Sequence, residues 1–218
     1  MYRIEFKNHS KMQVAFFLYI KPPETPPHTI SVCCFRRLCH PEVSVDFSWE
    51  ENLCFVWGEN RTLSPGPVVC AVLPDKKNCS SRGFYYSEIK PLQDWGKNKI
   101  GISLQNDSFI FTDSDLEVEH GKLGIASDHT VVEEKISAGI GFLDENNETV
   151  CGSIINKIGP NQHYIYEPPL HYMVTFSQDL NKPDTANAQE LNFQNGQNLA
   201  QATLDESNLL HLTYSTEL

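Results

Sequence analysis

VSVDFSWEENLCFVWGENRTLSPGPVVCAV, residues 43–72, is the stretch whose reading decides the fold. Val43, Val45, Phe47 and Trp49 alternate with Ser44, Asp46 and Ser48. A period of two is the mark of a half-buried β-strand. Glu50, Glu51 and Asn52 interrupt it, and Leu53 to Trp57 begin a second apolar run. Ser64-Pro65-Gly66-Pro67 predicts a turn, and Val68 to Leu73 a third strand. Two Trp, two Phe and two Cys (Cys54 and Cys70) fall inside these 30 residues. The stretch reads as the core of a β domain, and nothing in it is arranged as a reaction centre.

Working outward, the same pattern recurs. Strand signals lie near 2–7, 12–20, 29–35, 83–87, 99–104, 107–112, 138–143, 150–155, 163–167, 170–176, 188–194 and 198–214. Turn residues separate them, among them Lys21-Pro22-Pro23, Asn106-Asp107, Gly159-Pro160-Asn161 and Glu167-Pro168-Pro169. Short strands spaced by Gly, Pro and Asn predict an all-β chain with little or no helix: an antiparallel β-sandwich or a flattened barrel. A period of 3.6 is not sustained anywhere; weak helical signals near 115–122 and 128–135 are the exceptions. The expected organisation is one domain over residues 1–218, with 180–187 as a polar joint before the last strands.

Charge narrows the function classes. The chain has 17 Lys and Arg against 28 Asp and Glu, for a net −11 with His neutral. Such a surface repels nucleic acid and anionic membranes at neutral pH. Neither is expected as a partner. No run approaches the ~20 apolar residues of a membrane-spanning helix. Tyr2, Ile4 and Phe6 alternate from the outset, so no signal peptide is read and the default location is cytoplasmic. Five Asn-x-Ser/Thr sequons start at Asn8, Asn60, Asn78, Asn106 and Asn147. They matter only on a secretory route.

Eight histidines add a second regime. Protonating all of them would bring the charge from −11 to −3. Near-zero charge promotes association. None of the histidines pairs at metal-ligand spacing. His9, His28, His40, His120 and His129 are the candidates for a pH-dependent surface switch.

The seven cysteines are an odd number, which points to a free thiol or an intermolecular bridge. Cys33-Cys34, Cys39 and His40 cluster locally. Their spacing is not a zinc pattern, and adjacent strand residues point to opposite faces, so no metal is assigned. Cys54 and Cys70 sit in apolar runs and read as buried thiols. Cys79 lies in a polar loop after Lys76 and Lys77, where nearby positive charge favours the thiolate. Cys151 follows Val150 in a strand and is ambiguous. Cys33, Cys34, Cys39, Cys79 and Cys151 are therefore the candidates for bridging neighbouring molecules, with Cys39 and Cys79 read as exposed. No Cys-containing segment carries a thiol-protease or redox C-x-x-C signature.

Other clusters read as ordinary surface. Asp113, Asp115, Glu117 and Glu119 alternate with Ser114, Leu116 and Val118. No calcium loop frames them, and a solvated face is the simpler reading. Gly121, Gly124, Gly139 and Gly141 lack the order of a phosphate loop. Tyr85, Tyr86 and Trp95 could stack on a sugar, although such rings in a sandwich more often form core or rim.

The ladder Ile4 to Ser10, then Phe17-Leu18-Tyr19, Phe47-Ser48-Trp49, Phe55-Val56-Trp57, Leu63 to Val68 and Ala138 to Phe142 together resemble the RhiA-type proteins of bacteria. These are small β proteins expressed in the rhizosphere. The block His163 to Tyr172 is similar to a late segment of the same family. The shared motifs are packing and turn residues, so the resemblance implies a fold and transfers no catalytic residue. The chain also resembles in kind a fungal relative that builds vacuolar crystals used as a gravity-sensing mass. That likeness implies a non-enzymatic, self-assembling structural protein of the vacuole, partnered by its own copies and locked by disulfides, with no cofactor. The cysteines depart from the bacterial pattern. The alternative expectation is a lectin-like or toxin-like binding module that recognises a glycan or a protein through its loops.

Overall fold

The computed structural model describes residues 1–21, 29–59, 66–68, 87–92, 98–133, 135–143, 150–168, 170–194 and 196–216. The strands are β1 Tyr2–Asn8, β2 Val14–Lys21, β3 Ile30–Val32, β4 Phe35–Cys39, β5 Ser44–Trp49, β6 Asn52–Glu59, β7 Gly66–Val68, β8 Glu88–Pro91, β9 Lys99–Gln105 and β10 Ser108–Thr112. They continue with β11 Leu123–Ser127, β12 Ile136–Leu143, β13 Val150–Ile158, β14 His163–Tyr166, β15 His171–Ser177, β16 Gln189–Leu191, β17 Leu199–Leu204 and β18 Leu210–Ser215. A 3-10 turn spans Thr185–Asn187.

Four sheets result, in the orders β18-β17-β1-β5, β16-β15-β2-β4, β7-β3-β13-β12-β6-β8 and β10-β9-β11-β14. Pairing is mostly antiparallel. The parallel pairs are β1 with β17, β9 with β11 and β3 with β7. The chain is all-β and layered, as the strand periodicity predicts.

Residues 43–72 do not stay in one sheet. β5 lies at the edge of the first sheet, and β6 lies inside the six-stranded one. The Glu50-Glu51 interruption is where the chain crosses between them. In β5 Phe47 and Trp49 point inward while Ser44, Asp46 and Ser48 are exposed. β6 is covered on both sides, with Phe55 and Trp57 in the main core and Cys54 and Val56 in a smaller cluster. The third strand is described only over Gly66–Val68; the rest of its predicted range, Val69 to Leu73, lies outside the described residues.

The main core draws on every sheet, including Ile4 and Phe6, Phe16 and Leu18, Ile140 and Ile154, and Ile100 and Ile125. Phe6 stacks on Phe16 with ring centroids 4.4 Å apart, joining the first two sheets. Each such ring or branched side chain, fully buried, stabilises by about 1.5–3 kcal/mol. β2 and β12 read as unbroken apolar runs because both of their faces are covered. Gly139 shows how tightly β12 is held: a Cβ there would stand 1.9 Å from the carbonyl oxygen of Ile154.

Several local expectations change. The predicted strand 198–214 is a hairpin, β17 and β18, joined by a turn at Asp205–Leu209. The Asp205 carboxylate accepts from Ser207 N and Leu209 N there, and Asn208 takes a positive φ. The strand predicted over 29–35 breaks at Cys33–Cys34 and changes sheet. β11 lacked a predicted counterpart, because Gly124 and Ala126 dilute its apolar signal. Residues 115–122 are not helical; Leu116 and Val118 lie against Gly124. The proposed joint at 180–187 is a tied turn. Pro183 is buried, Asp184 caps the 3-10 turn, and the Asp184 carbonyl accepts from Thr175 Oγ1 at 2.5 Å.

Candidate functional site

The first concentrated polar feature is a clasp at the end of β1. Asn8 is fully buried. Its Nδ2 donates to Met12 O at 2.8 Å and to Cys39 O at 3.1 Å. Its Oδ1 accepts from Ser10 N at 3.0 Å and from Ser10 Oγ at 2.7 Å. One amide side chain thus ties the β1–β2 turn to the end of β4. Both Nδ2 hydrogens are used inside, so the Asn8 sequon is a packing motif in the folded chain.

The same clasp corrects the reading of Cys39. Expected on an exposed loop, it ends β4 with no exposure, and its Sγ donates to Val43 O at 3.1 Å. Burial pushes its thiol pKa up, against a smaller lowering by a backbone hydrogen bond involving Asn8. An inward-facing, protonated thiol cannot bridge to a neighbour, so Cys39 leaves the set of cross-linking candidates. Cys33 is also buried, beside Ala15, Phe17 and Tyr19. Cys34 is half-buried, and the two neighbours face opposite sides as strand geometry requires. Cys54 is buried as expected. No disulfide joins Cys33, Cys34, Cys39 and Cys54 to one another. Cys70 and Cys79 lie outside the described residues, and the side chain of Cys151, in β13, does too.

The histidines are a surface population. His9, His40, His120 and His129 are exposed, as are His163 and His211; His171 is half-buried. His28 lies outside the described residues, as do Tyr85, Tyr86 and Trp95. Three histidines rest on carboxylates. His9 Nδ1 is 3.0 Å from Glu42 Oε2, His171 Nδ1 is 2.5 Å from Glu190 Oε1, and His211 Nε2 is 2.7 Å from Asp205 Oδ2. Protonation at these points completes ion pairs within the chain. His40 instead faces Gln13, with its Nε2 3.3 Å from the amide nitrogen. His129 stands beside Asp128 in the chain and lowers that carboxyl's pKa slightly by its charge. The five switch candidates are dispersed rather than gathered into one cluster.

A groove of about 430 Å³ lies elsewhere, between β9, the segment after β10, the end of β11 and the β13–β14 turn. Asp128 stands at its base. Its Oδ2 accepts from Ser103 Oγ at 2.6 Å and its Oδ1 from Thr130 N at 2.8 Å. Burial works to raise the Asp128 pKa, but these hydrogen bonds outweigh it and hold the carboxyl below its usual range. A carboxylate so held is a poor proton donor. It acts here as a clamp that returns the chain after β11 onto β9. Asp113, Asp115 and His163 are exposed at the rim. No Phe, Tyr or Trp lines the groove among the described residues. Residue patterning missed this groove, although Asp128-His129-Thr130 is a side-chain-capped turn that its composition could have signalled.

The acidic ladder behaves as a solvated face: Asp113, Asp115, Glu117 and Glu119 are exposed, and Leu116 and Val118 turn inward. Lys99 Nζ donates to Leu116 O at 2.8 Å, and Asn98 Nδ2 to Glu119 O at 3.2 Å, holding the segment down. No group of three or more His, Cys, Asp or Glu side chains among the described residues is placed to hold a metal ion. No helix among them is long and apolar enough to cross a membrane.

The RhiA family model matches residues 1–215. The chain belongs to the RhiA family. No curated protein and no solved structure matches it. In this RhiA chain the opening Asn-x-Ser is the clasp on β4. The Phe-x-Trp pair, Phe47 and Trp49, packs β5 inward, and the glycines of the Gly-Ile-Gly strand admit close backbone contact from β13.

Proposed function

We propose that this chain is a non-enzymatic structural protein that associates with its own copies in mild acid. The observation that carries the proposal is the placement of the histidines. Six of the seven described are exposed and one is half-buried, on a chain of net charge −11. Protonating all eight histidines would move the formal charge from −11 to −3. Repulsion between copies scales with the product of their charges, so it would fall by about tenfold. The sequence pI is about 5.1.

The product of association is a dense vacuolar crystal that serves as a gravity-sensing mass, as in OCTIN, the fungal crystal-forming protein that the sequence resembles in kind. Disulfides between copies form after the contacts, each pair of thiols giving two electrons and two protons to dissolved oxygen or exchanging with a small disulfide, since thiolate attack slows in acid. The candidates for them are half-buried Cys34 with Cys79 and Cys151.

The test is light scattering of purified protein taken from pH 7.5 to 5.5, with and without reductant. Scattering should rise on acidification in both arms and reverse fully at pH 7.5 only with reductant. Unchanged scattering down to pH 5.5 refutes self-association. Full reversal without reductant refutes the disulfides alone.

A further inference from the structure

β18 closes one side of its sheet, and its outer edge has no strand partner among the described residues. Most other edges carry guards; β14, His-Tyr-Ile-Tyr, carries none but spans only four residues. β4 has Arg36 and Arg37, β8 has Lys90 and Pro91, β7 has Pro67, β5 has Asp46 and β16 has Glu190. On β10 the Phe111 N–H is occupied by Glu88 Oε2 at 3.1 Å. β18 reads Leu-His-Leu-Thr-Tyr-Ser, six residues with no Lys, Arg, carboxylate or Pro. Its single titratable imidazole, His211, is paired to Asp205. Leu209, at its start, is 59% exposed. An edge of this kind is a template for another strand.

The ladder fixes which groups are available. Asp205 N donates to Leu209 O at 3.0 Å, and the β17–β18 register pairs Thr203 with His211 and Gln201 with Thr213. Odd-numbered residues of β18 therefore turn their main-chain groups toward β17. Leu210, Leu212 and Tyr214 turn theirs outward. The Leu210 carbonyl is met by Gln189 Nε2 at 2.6 Å; the outward groups of Leu212 and Tyr214 face the open edge.

We infer that β18 pairs antiparallel with β18 of a second copy, about a two-fold axis at Leu212. This rests on the self-association proposed above and names its first contact. Two constraints select the register. Residues with outward groups must stand opposite one another, and the overlap must be as long as possible. Registers centred on Leu212 and on Thr213 overlap equally, but Leu212 against Leu212, flanked by Leu210 against Tyr214 on either side, pairs all three outward-facing residues and the other register only two. The side chains agree with this. Leu210, Leu212 and Tyr214 share the face packed on the core, so the apolar layer runs on across the axis. On the other face His211 meets Thr213, and no like charges oppose. Leu209 is brought beside Ser215 of the second copy and loses water.

The test combines amide hydrogen exchange with sedimentation equilibrium on the full chain, at pH 7.5 and 5.5. On association the amides of Leu210, Leu212 and Tyr214 should slow at least tenfold, while those of β4 and β8 keep their monomer rates. Thr213→Lys sets a cation opposite His211 of the partner on an exposed face, and should weaken the dimer at least tenfold without changing Tm. Association with unchanged exchange at the three amides, or undiminished in Thr213→Lys, overturns the β18 contact and leaves self-association standing. A chain that stays monomeric at both pH values overturns both.

Discussion

Replacing Asn8 by Ala tests whether the opening motif of the chain is a structural clasp. The substitution removes four hydrogen bonds. Three main-chain groups lose a partner: the carbonyls of Met12 and Cys39 and the N–H of Ser10. The Met12 carbonyl still receives Ser10 Oγ at 3.2 Å, so its loss is partial. A buried group left without a partner costs about 1–3 kcal/mol. Two full losses and one partial one come to about 3–5 kcal/mol. That is a large fraction of the ~5–15 kcal/mol that holds a typical domain together. Urea unfolding followed by Trp fluorescence measures it, with the slope of the transition as a check that the two states are unchanged. Asn8→Asp sharpens the test. It keeps an acceptor for Ser10 but turns a carboxylate toward two carbonyl oxygens. Its folded-state pKa is then raised, so the variant should be least stable at neutral pH and recover as pH falls and the carboxyl protonates. A loss below about 1 kcal/mol for Asn8→Ala refutes the clasp.

The remaining predictions concern thiols, backbone contact and pH. In the native state iodoacetamide should modify Cys34 but leave Cys33, Cys39 and Cys54 intact by peptide mass spectrometry; rapid labelling of Cys39 would show that β4 ends differently. Cys39→Ser should leave acid-induced scattering unchanged, because the thiol faces inward. Gly139→Ala, whose Cβ would stand 1.9 Å from Ile154 O, should cost about 3 kcal/mol or more by urea unfolding. Gly196→Ala should cost about 1–2 kcal/mol, since its φ of 85° is strained but nothing lies within 4 Å. Asp128 and Asp205 have depressed folded-state pKa values, so their stabilisation is complete above the unfolded carboxylate range and is lost only as pH falls through the folded values. The urea midpoint should therefore hold between pH 7.5 and 5.5 and fall below about pH 4, less steeply in Asp128→Asn. A steep fall between 7.5 and 5.5 would mean that acid unfolds the chain before it associates.

Strand patterning was legible wherever one face is polar. β1 and β5 announce themselves through Ile4 and Phe6, and through Phe47 and Trp49. β2 and β12 were legible for another reason, as continuous apolar runs. The failures have physical causes. Between Phe47 and Phe55 the chain changes sheet at two glutamates, and a local pattern carries no record of which sheet the next strand joins. The hairpin after Leu204 was read as one strand because Asp205, Glu206, Ser207 and Asn208 contain neither Gly nor Pro. The Asp205 carboxylate does the work that a glycine usually does. Cys39 was misplaced because its neighbours Arg36, Arg37 and His40 are polar. Its burial depends on Asn8, 31 residues away, reaching its carbonyl.

These failures share a direction. The residues on which the resemblance rests have partners fixed by the fold: Asn8 on Cys39, Trp49 against Tyr172, Gly139 under Ile154. They are legible in a sequence because the interior constrains them. An association surface has no such constraint within one chain. The β18 edge, like the shorter β14, is marked by what its sequence omits, namely the Arg, Lys, Pro or carboxylate that guards β4, β8, β7 and β5. A missing guard means nothing until topology shows that the strand is an edge. Sequence could place Leu210, Leu212 and Tyr214 on one face. Only the pairing with β17 shows that their main-chain groups point away from the sheet, and that parity is what makes a second copy in a single register the fitting partner.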